Sequence, residues 1–433
     1  MAGPLAVGML SFTIMGVTDT LLMGKVGTVA QAGVGLAAIL TFALGAFFRG
    51  MTAGSQALVA AAHGANNPLR MTRAGTAAGL IGLAGGLLLA VITLLVGRYA
   101  MLPLTDDPAV AAEAGPYLEA RAFFQPVSLV GWGLMSALQG LGDTRTRMWA
   151  SLVGNAANVG LDLVLIFGLG PIPALGAVGA AWATNLGELA MLAVYAVSWR
   201  RQFGRPLNPG REVLASSLGV GLPAGLQWAQ GTFAFALMTV VLARVGATHL
   251  AASQIVLQIV SVSFLPGYAV GESAGVLVGR YLGARRPAGA ARAVRSARTL
   301  ALAMMGGCAI VFALFGRWLG DWFTDDPAVL ALVVELMRWA AAFQLADAAA
   351  TVHLCALRGA GDTAFTLRIG LFGSWGLLVP LTFLFALGLD WGAPGAYLAL
   401  TAELVFLAAV TGLRTTGLVR GKVGRLDLLL GER

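Results

Sequence analysis

The sequence predicts an all-α integral membrane protein: twelve transmembrane helices arranged as two parallel, pseudo-symmetric lobes of six. Three observations predict it. Of 433 residues, 58% are hydrophobic and 11% charged, with a mean hydropathy of +0.82, against about 25% charged in a typical soluble domain. The apolar residues gather into runs of about 20 or more, the length a helix needs to cross a bilayer's hydrocarbon layer, and they lack the every-second-residue alternation of membrane barrel strands. Third, the hexapeptide "TDDPAV" occurs at 105–110 and again at 324–329, as expected if one half of the chain repeats the other.

The spans follow in order. Span one, 1–23, lacks a basic n-region and a cleavage-type end, so it is expected to be retained and not removed as a signal peptide. Span two, 32–60, carries Arg49 inside it, and span three, 75–97, runs towards the first "TDDPAV", where Asp before Pro is turn and helix-start chemistry. Span four, 117–139, leads into "GLGDT" at 140–144; span five is 149–170 and span six 175–198. The basic stretch "RRQFGRPLNPGR" at 200–211 separates the halves. Spans seven and eight, 216–243 and 250–279, precede the basic loop 280–298. Span nine, 297–319, ends before the second "TDDPAV"; span ten, 332–357, leads into "GAGDT" at 359–363; spans eleven and twelve are 366–388 and 393–413. The expected domains are therefore an N-lobe, 1–199, a linker, 200–215, a C-lobe, 216–414, and a tail, 415–433.

The formal charge of +8 suggests a nucleic-acid partner until the charges are placed. Counted with the span ends that adjoin them, connections after even-numbered spans and the tail hold 21 Lys and Arg, connections after odd-numbered spans hold 6, and Arg49, deep in span two, completes the 28. By the positive-inside rule both termini are cytoplasmic, in a multi-pass protein of the inner or plasma membrane. The basic balance reports topology, with some attraction to anionic headgroups, and no nucleic-acid partner is expected. Cys308 and Cys355 lie within spans, so neither a disulfide framework nor a metal site is expected.

Sliding the chain along itself by 219 residues aligns Pro4 with Pro223, Gly64-Ala65 with Gly283-Ala284, Gly97-Arg98 with Gly316-Arg317, and "GLGDT" with "GAGDT". Six spans per copy is an even number, so both copies enter and leave on the same side and are parallel repeats. Two such lobes suit a secondary transporter; a channel or membrane-embedded enzyme is the alternative at this stage. "Pro4" has only three residues before it, whereas span seven has a polar lead-in from Arg211 to Pro223, so a further N-terminal stretch of roughly ten residues is expected from the repeat.

The informative polar groups are those the duplication does not share. An acid inside a span costs about 2.5–3.5 kcal/mol on insertion scales and marks a cavity or a partner. Asp19, Asp162, Glu272 and Asp347 meet Met238, Leu381, Ala53 and Ser128 at the repeat offset, whereas the loop acids are shared. In "NAANVGLDLVLIFGLG", Asn155, Asn158 and Asp162 fall at i, i+3 and i+7 on one helical stripe. Two amides and a carboxylate supply oxygens for a hard cation or partners for a carboxylic acid. Asp19 joins them if span one packs on span five; if it lies with Lys25 at the outer interface, it does not. Glu272 and Asp347 are read as functional or as acids neutralised by polar neighbours, and the near-symmetric Glu188 and Glu403 as scaffold.

These motifs carry a resemblance over nearly the whole chain. "VTDTLLMGKVG" ends span one, "NVGLDLVLIFGLG" lies in span five and "GLPAGLQWAQ" opens span seven. With the repeat and the two "GxGDT" turns, the chain resembles the multidrug and toxic compound extrusion (MATE) transporters. "FFRGMTAG" and "GYAVGESAGVLVGRYLGAR" look like the DinF-type branch, with an Arg in span two and a Glu in span eight. The resemblance implies efflux of small organic cations driven by inward proton or sodium flow, without a cofactor. It assigns coupling roles to Asp19, Asn158, Asp162 and Thr184. In the NorM-type branch span seven carries a cation-binding Glu where Gln230 stands here, while Asp347 matches that branch's acid in span ten. A second, C-lobe site at Gln230, Glu272 and Asp347 is thus also expected, and the two branches' features are mixed.

The mechanism expected is exchange of a proton or sodium ion against a cationic amphipathic substrate at shared carboxylates, in a monomer. Phe42, Trp132, Met135, Trp228 and Met238 are candidates for an adaptable cleft lining, although apolar residues at helical spacing more commonly face lipid or neighbours. "GESAG" at 271–275 fits a hydrolase elbow, but an elbow needs a strand and sharp turn that an apolar helical run does not give, so no catalytic residue is expected. His63, His249 and His353 are scattered, and no metal site is expected. The competing transport class is a flippase of lipid-linked anionic precursors, for which a cationic cavity is the mark.

Overall fold

The computed structural model describes residues 1–99, 105, 107–418 and 424–431. Asp106 of the first "TDDPAV" copy, and residues 419–423 and 432–433 of the tail expected at 415–433, lie outside them. The helices are α1 (Ala2–Val26), α2 (Thr28–Gly64), α3 (Pro68–Tyr99), α4 (Pro108–Ala122), α5 (Gln125–Gly140), α6 (Thr144–Leu165), α7 (Gly176–Phe203) and α8 (Gly210–Val245). They continue with α9 (Ala247–Gly283), α10 (Pro287–Gly320), α11 (Pro327–Gly359), α12 (Thr363–Leu371), α13 (Val379–Thr382), α14 (Gly392–Thr416) and α15 (Leu426–Leu430). Among the described residues eleven helical stretches are long and apolar enough to cross a membrane.

The twelfth span is the fourth in chain order, and it departs from the continuous helix expected at 117–139. It is built from α4 and α5, 15 and 16 residues long, broken at Phe123 and Phe124. Pro126 explains the break: it has no N–H to give the Ala122 carbonyl, and its ring clashes with a continuing helix. The chain tightens instead, with Phe124 N–H donating to the Arg121 carbonyl at 3.1 Å. Pro380 acts similarly in span eleven, where α13 is flanked by wider π-turns at Phe372–Leu378 and Phe383–Gly388, and Val379 N–H reaches five residues back to Ser374.

The repeated hexapeptide does the same local work twice. Asp107 and Asp326 are the N-caps of α4 and α11, each accepting from the backbone N–H two residues on at 2.8 Å, and each followed by Pro at the first helical position. Thr105 and Thr324 accept from the backbone N–H of those two Asp residues at 3.3 and 3.2 Å. Such a cap satisfies N–H groups that the first helical turn leaves orphaned.

The packing divides into two units. One comprises Met1, Gly3–Val59 and Asn67–Gly225; the other comprises Ala2, Ala60–Asn66 and Leu226–Arg433. In the first, Met23, Ala37, Tyr117, Leu118 and Ala180 form a buried cluster that joins α1, α2, α4 and α7. Glycine brings α6 against α7: a Cβ on Gly187 would stand 3.1 Å from the Cβ of Asn158, and one on Gly154 3.0 Å from the Gly187 carbonyl. In the second unit the core runs through Met238, Leu336, Phe343 and Tyr397. Met238 is fully inside it, which removes Met238 from the cleft lining considered from sequence.

Candidate functional site: a buried acid pair

The first unit brings four of the sequence-selected residues together. On α1, Met15, Asp19 and Met23 recur every fourth residue and are all buried, so Asp19 sits in the inward ridge of its helix. Lys25 is exposed, which separates it from Asp19 and removes the interfacial-pair reading. On α6, Asn158 and Asp162 are 0% exposed, one turn apart. The close approach of Gly187 leaves room for Asn158, and α7 then presents Thr184 one turn earlier.

The carboxyl group of Asp19 lies beside the side chains of Asp162, Asn158 and Thr184. The Thr184 hydroxyl is 3.1 Å from Asp19 Oδ2 and 2.9 Å from the Ala180 carbonyl, and its single proton serves one of them at a time. Asp19 Oδ1, both oxygens of Asp162 and both polar atoms of the Asn158 amide are buried and make no hydrogen bond within the protein. Buried polar groups are ordinarily paired, and two neighbouring full negative charges in a helix bundle are costly to desolvate. One positive charge among these oxygens offsets both costs. A shared proton does so, and so does a small hard cation, for which carboxylate and amide oxygens are the fitting donors.

Asn155 does not belong to this set. Its Nδ2 donates to the carbonyl and hydroxyl oxygens of Ser11 on α1, so it braces α1 against α6. Helical spacing puts the three residues on one stripe of α6, but the seven residues from Asn155 to Asp162 span about 10 Å along it.

Arg121, which counting by loops places with the outer connections, is the functional-site residue that sequence reasoning missed. It is 6% exposed and forms an ion pair with Glu188 at 2.9 Å. Its position four residues inside an expected span was the available signal. The pairing accounts for Glu188, read from near-symmetry as scaffold, whereas Glu403 accepts from the Ser374 hydroxyl at 2.7 Å.

In the second unit the two candidate acids each have a donor of their own. Glu272 accepts from the Tyr268 hydroxyl at 3.1 Å and lies 3.7 Å from Cys355 Sγ. Asp347 accepts from the Thr351 hydroxyl at 3.2 Å, one turn on in α11. Asp347, Thr351 and Cys355 form one ridge of α11, so the two acids stand at opposite ends of two turns. Gln230 donates to the Gln227 carbonyl at 3.2 Å and keeps a buried Oε1 without a partner. These residues therefore form no carboxylate pair comparable to that of Asp19 and Asp162.

Arg49 lies against two rings, 5.1 Å from the centroid of Phe42 and 5.8 Å from that of Trp132, and donates to the Phe42 carbonyl at 3.0 Å. A pocket in the first unit is lined by Trp132, Met135, Arg147, Glu188, Met191 and Tyr195, among others. Two of the five aromatic and Met candidates, Trp132 and Met135, thus line a cavity. Phe42 is half exposed, and Trp228 packs on Tyr268 with centroids 6.4 Å apart.

The family model MatE matches twice, over residues 4–164 and 223–384, two stretches whose starts are separated by the repeat offset. The multidrug resistance protein NorM of Burkholderia vietnamiensis is 32% identical over 433 aligned positions, covering 96% of this chain and 92% of the relative. A probable NorM of Pseudomonas aeruginosa is 31% identical, covering 94% and 86%. Among solved structures, the Vibrio cholerae MATE transporter VcmN in its bent form superposes with a TM-score of 0.84 at 20% identity, covering 98% of this chain and 96% of that one. A MOP-superfamily transporter from Pyrococcus furiosus gives a TM-score of 0.87 at 19% identity, covering 96% and 95%. The doubled six-span pattern, the matched helices and a family model that spans most of the sequence place this chain in the MatE family of multi-pass membrane transporters.

Proposed function

We propose that the chain is an antiporter that exports small cationic, amphipathic molecules in exchange for protons or sodium ions. The observation that carries this reading is the pair of buried carboxyl groups on Asp19 and Asp162, of whose four oxygens only Asp19 Oδ2, facing the Thr184 hydroxyl, has a protein donor. A proton or sodium ion and an organic cation compete for the same negative charge, so occupation by one releases the other. Asn158 and Thr184 orient the pair. The names of the NorM relatives, multidrug resistance proteins, agree with export of drugs or toxic metabolites. Two lobes, 1–199 and 216–414, rock to expose the acids alternately to each side of the cell membrane in a monomer.

The test is exchange in proteoliposomes holding the purified chain. Ethidium movement is expected under an inward proton gradient or an inward sodium gradient, and one working alone identifies the ion. Ethidium movement unaffected by either gradient ends the antiport reading. Both termini are assigned to the cytoplasm from the distribution of Lys and Arg. A reporter fused after Arg433 that is active only outside the cytoplasm is expected to stay silent in cells; activity reverses the assignment.

A second reading has one observation in its favour. The guanidinium of Arg147 lines the cavity and lies 5.9 Å from the centroid of Trp132, a cationic feature suited to an anionic, lipid-linked substrate. Competition for ethidium exchange by an anionic lipid-linked oligosaccharide, and not by organic cations, favours this reading.

A further inference from the structure

A buried cation in the field of Asp19 has no role in the exchange as described. Arg121 stands in the last turn of α4 and is held on two sides. Its Nη1 donates to Asn185 Oδ1 at 2.5 Å and to Glu188 Oε2 at 3.3 Å, and Nη2 donates to Glu188 Oε1 at 2.9 Å. Asn185 returns a bond, its Nδ2 donating to the Ala120 carbonyl at 2.9 Å. Beyond the break, Phe124 packs edge-on against Trp182 with centroids 5.5 Å apart. Three positions of α7 thus grip the broken point of the fourth span. The residue among them, Thr184, presents the hydroxyl that meets Asp19.

A buried ion pair is weak evidence for stability, because well-packed apolar residues often serve as well or better. A charge retained here needs another reason, and the surroundings supply one. Facing the pair are Asp19 from α1 and Tyr117 from α4 itself, with Arg49 of α2 within the field of both Arg121 and Glu188 and with Asp162 of α6 reached through Asp19. Arg121 acts on Asp19 through space, whereas Glu188 acts on Arg121, to which it is hydrogen-bonded.

We infer that Arg121, locked by Asn185 and Glu188, is a positioning residue of the Asp19–Asp162 site: it fixes Thr184 against Asp19 and sets the field in which the coupling cation binds. The inference rests on the antiport reading above. Its signature is a pair of opposite effects. Removing the positive charge of Arg121 removes a repulsion from the bound cation and tightens it. Removing the negative charge of Glu188 leaves Arg121 uncompensated and weakens it.

The experiment measures the half-saturating concentration of the coupling cation, sodium or proton, in ethidium exchange by the full chain in proteoliposomes. Arg121→Gln is expected to lower it about tenfold and Glu188→Gln to raise it about tenfold, with the double variant within about threefold of wild type. If a single variant fails to fold, Arg121→Lys, which keeps the charge but not the two-sided fork, is expected to hold half-saturation within about threefold while slowing maximal exchange. Shifts in the same direction, or stability changes with unmoved half-saturation, overturn the inference and leave the antiport reading standing. A tenfold shift in Arg121→Lys also overturns it. Wild-type exchange without dependence on either cation overturns both.

Discussion

Asp162→Asn is expected to reduce gradient-driven ethidium exchange by about 100-fold or more while leaving the protein at least as resistant to heat as wild type. Both halves of that expectation come from the same geometry. Asp162 is fully buried beside Asp19, and neither of its oxygens has a donor in the protein. A unit positive charge about 4 Å from a carboxylate gains about 4 kcal/mol at an effective dielectric of 20, so losing one carboxylate of two weakens the cation site by orders of magnitude. The same replacement removes one of two neighbouring buried charges, a change that often stabilises a fold because such sites are strained for function. Asp19→Asn is expected to match the loss of exchange, with Thr184 still able to donate to the amide oxygen. Asn155→Ala, at a residue bonded to Ser11, is expected to change cation half-saturation less than threefold. Exchange and its cation dependence are read in proteoliposomes, and thermal stability on the detergent-purified protein. Wild-type exchange by Asp162→Asn removes the acid pair from the mechanism.

Much of this arrangement was legible in the sequence because a membrane penalises polar groups individually. In so apolar a chain, Asp19 and Asp162 stand out, and the internal repeat shows them to be private to one half. The capping role of "TDDPAV" was readable from Asp before Pro, since the local chemistry needs no tertiary partner. What failed was anything that depended on height along a helix or on a partner elsewhere in the chain. The stripe of Asn155, Asn158 and Asp162 specifies a face, and periodicity does not say that the first of them bonds Ser11 on another helix. The break at Phe123 and Phe124 was signalled by Pro126, but a hydropathy run passes over a single proline. Arg121 was hidden for a related reason. A charge near the edge of an apolar run counts as a loop charge unless its acceptors, Asn185 and Glu188, are known to fold back to it from more than sixty residues away.

The largest expected loss of stability lies at two glycines in the second unit that correspond at the repeat offset. A Cβ built on Gly64 of α2 would stand 1.9 Å from the Arg280 carbonyl oxygen of α9, and one on Gly283 of α9 would stand 2.0 Å from the Ala61 carbonyl oxygen of α2. The contact is reciprocal, because Ala61 and Arg280 correspond at the same offset as Gly64 and Gly283. The clashing atoms are backbone oxygens, so no rotamer change relieves them and the helices have to separate. Overpacking in a well-filled interior costs about 1–3 kcal/mol and occasionally more; a rigid backbone obstacle puts Gly64→Ala and Gly283→Ala at about 3 kcal/mol each, roughly 5 °C in a chain of this size. Gly307→Ala, where nothing stands within 4 Å of the added carbon, is expected to leave the unfolding midpoint unchanged. The double variant separates the two alternatives for the crossing. If α2 and α9 move apart as rigid rods, the first methyl opens the space that the second requires, and the double loss is smaller than the sum of the single losses. Additive losses in thermal unfolding of the detergent-purified protein mean instead that each glycine is accommodated locally, and an unchanged midpoint in either single variant rejects the close crossing itself.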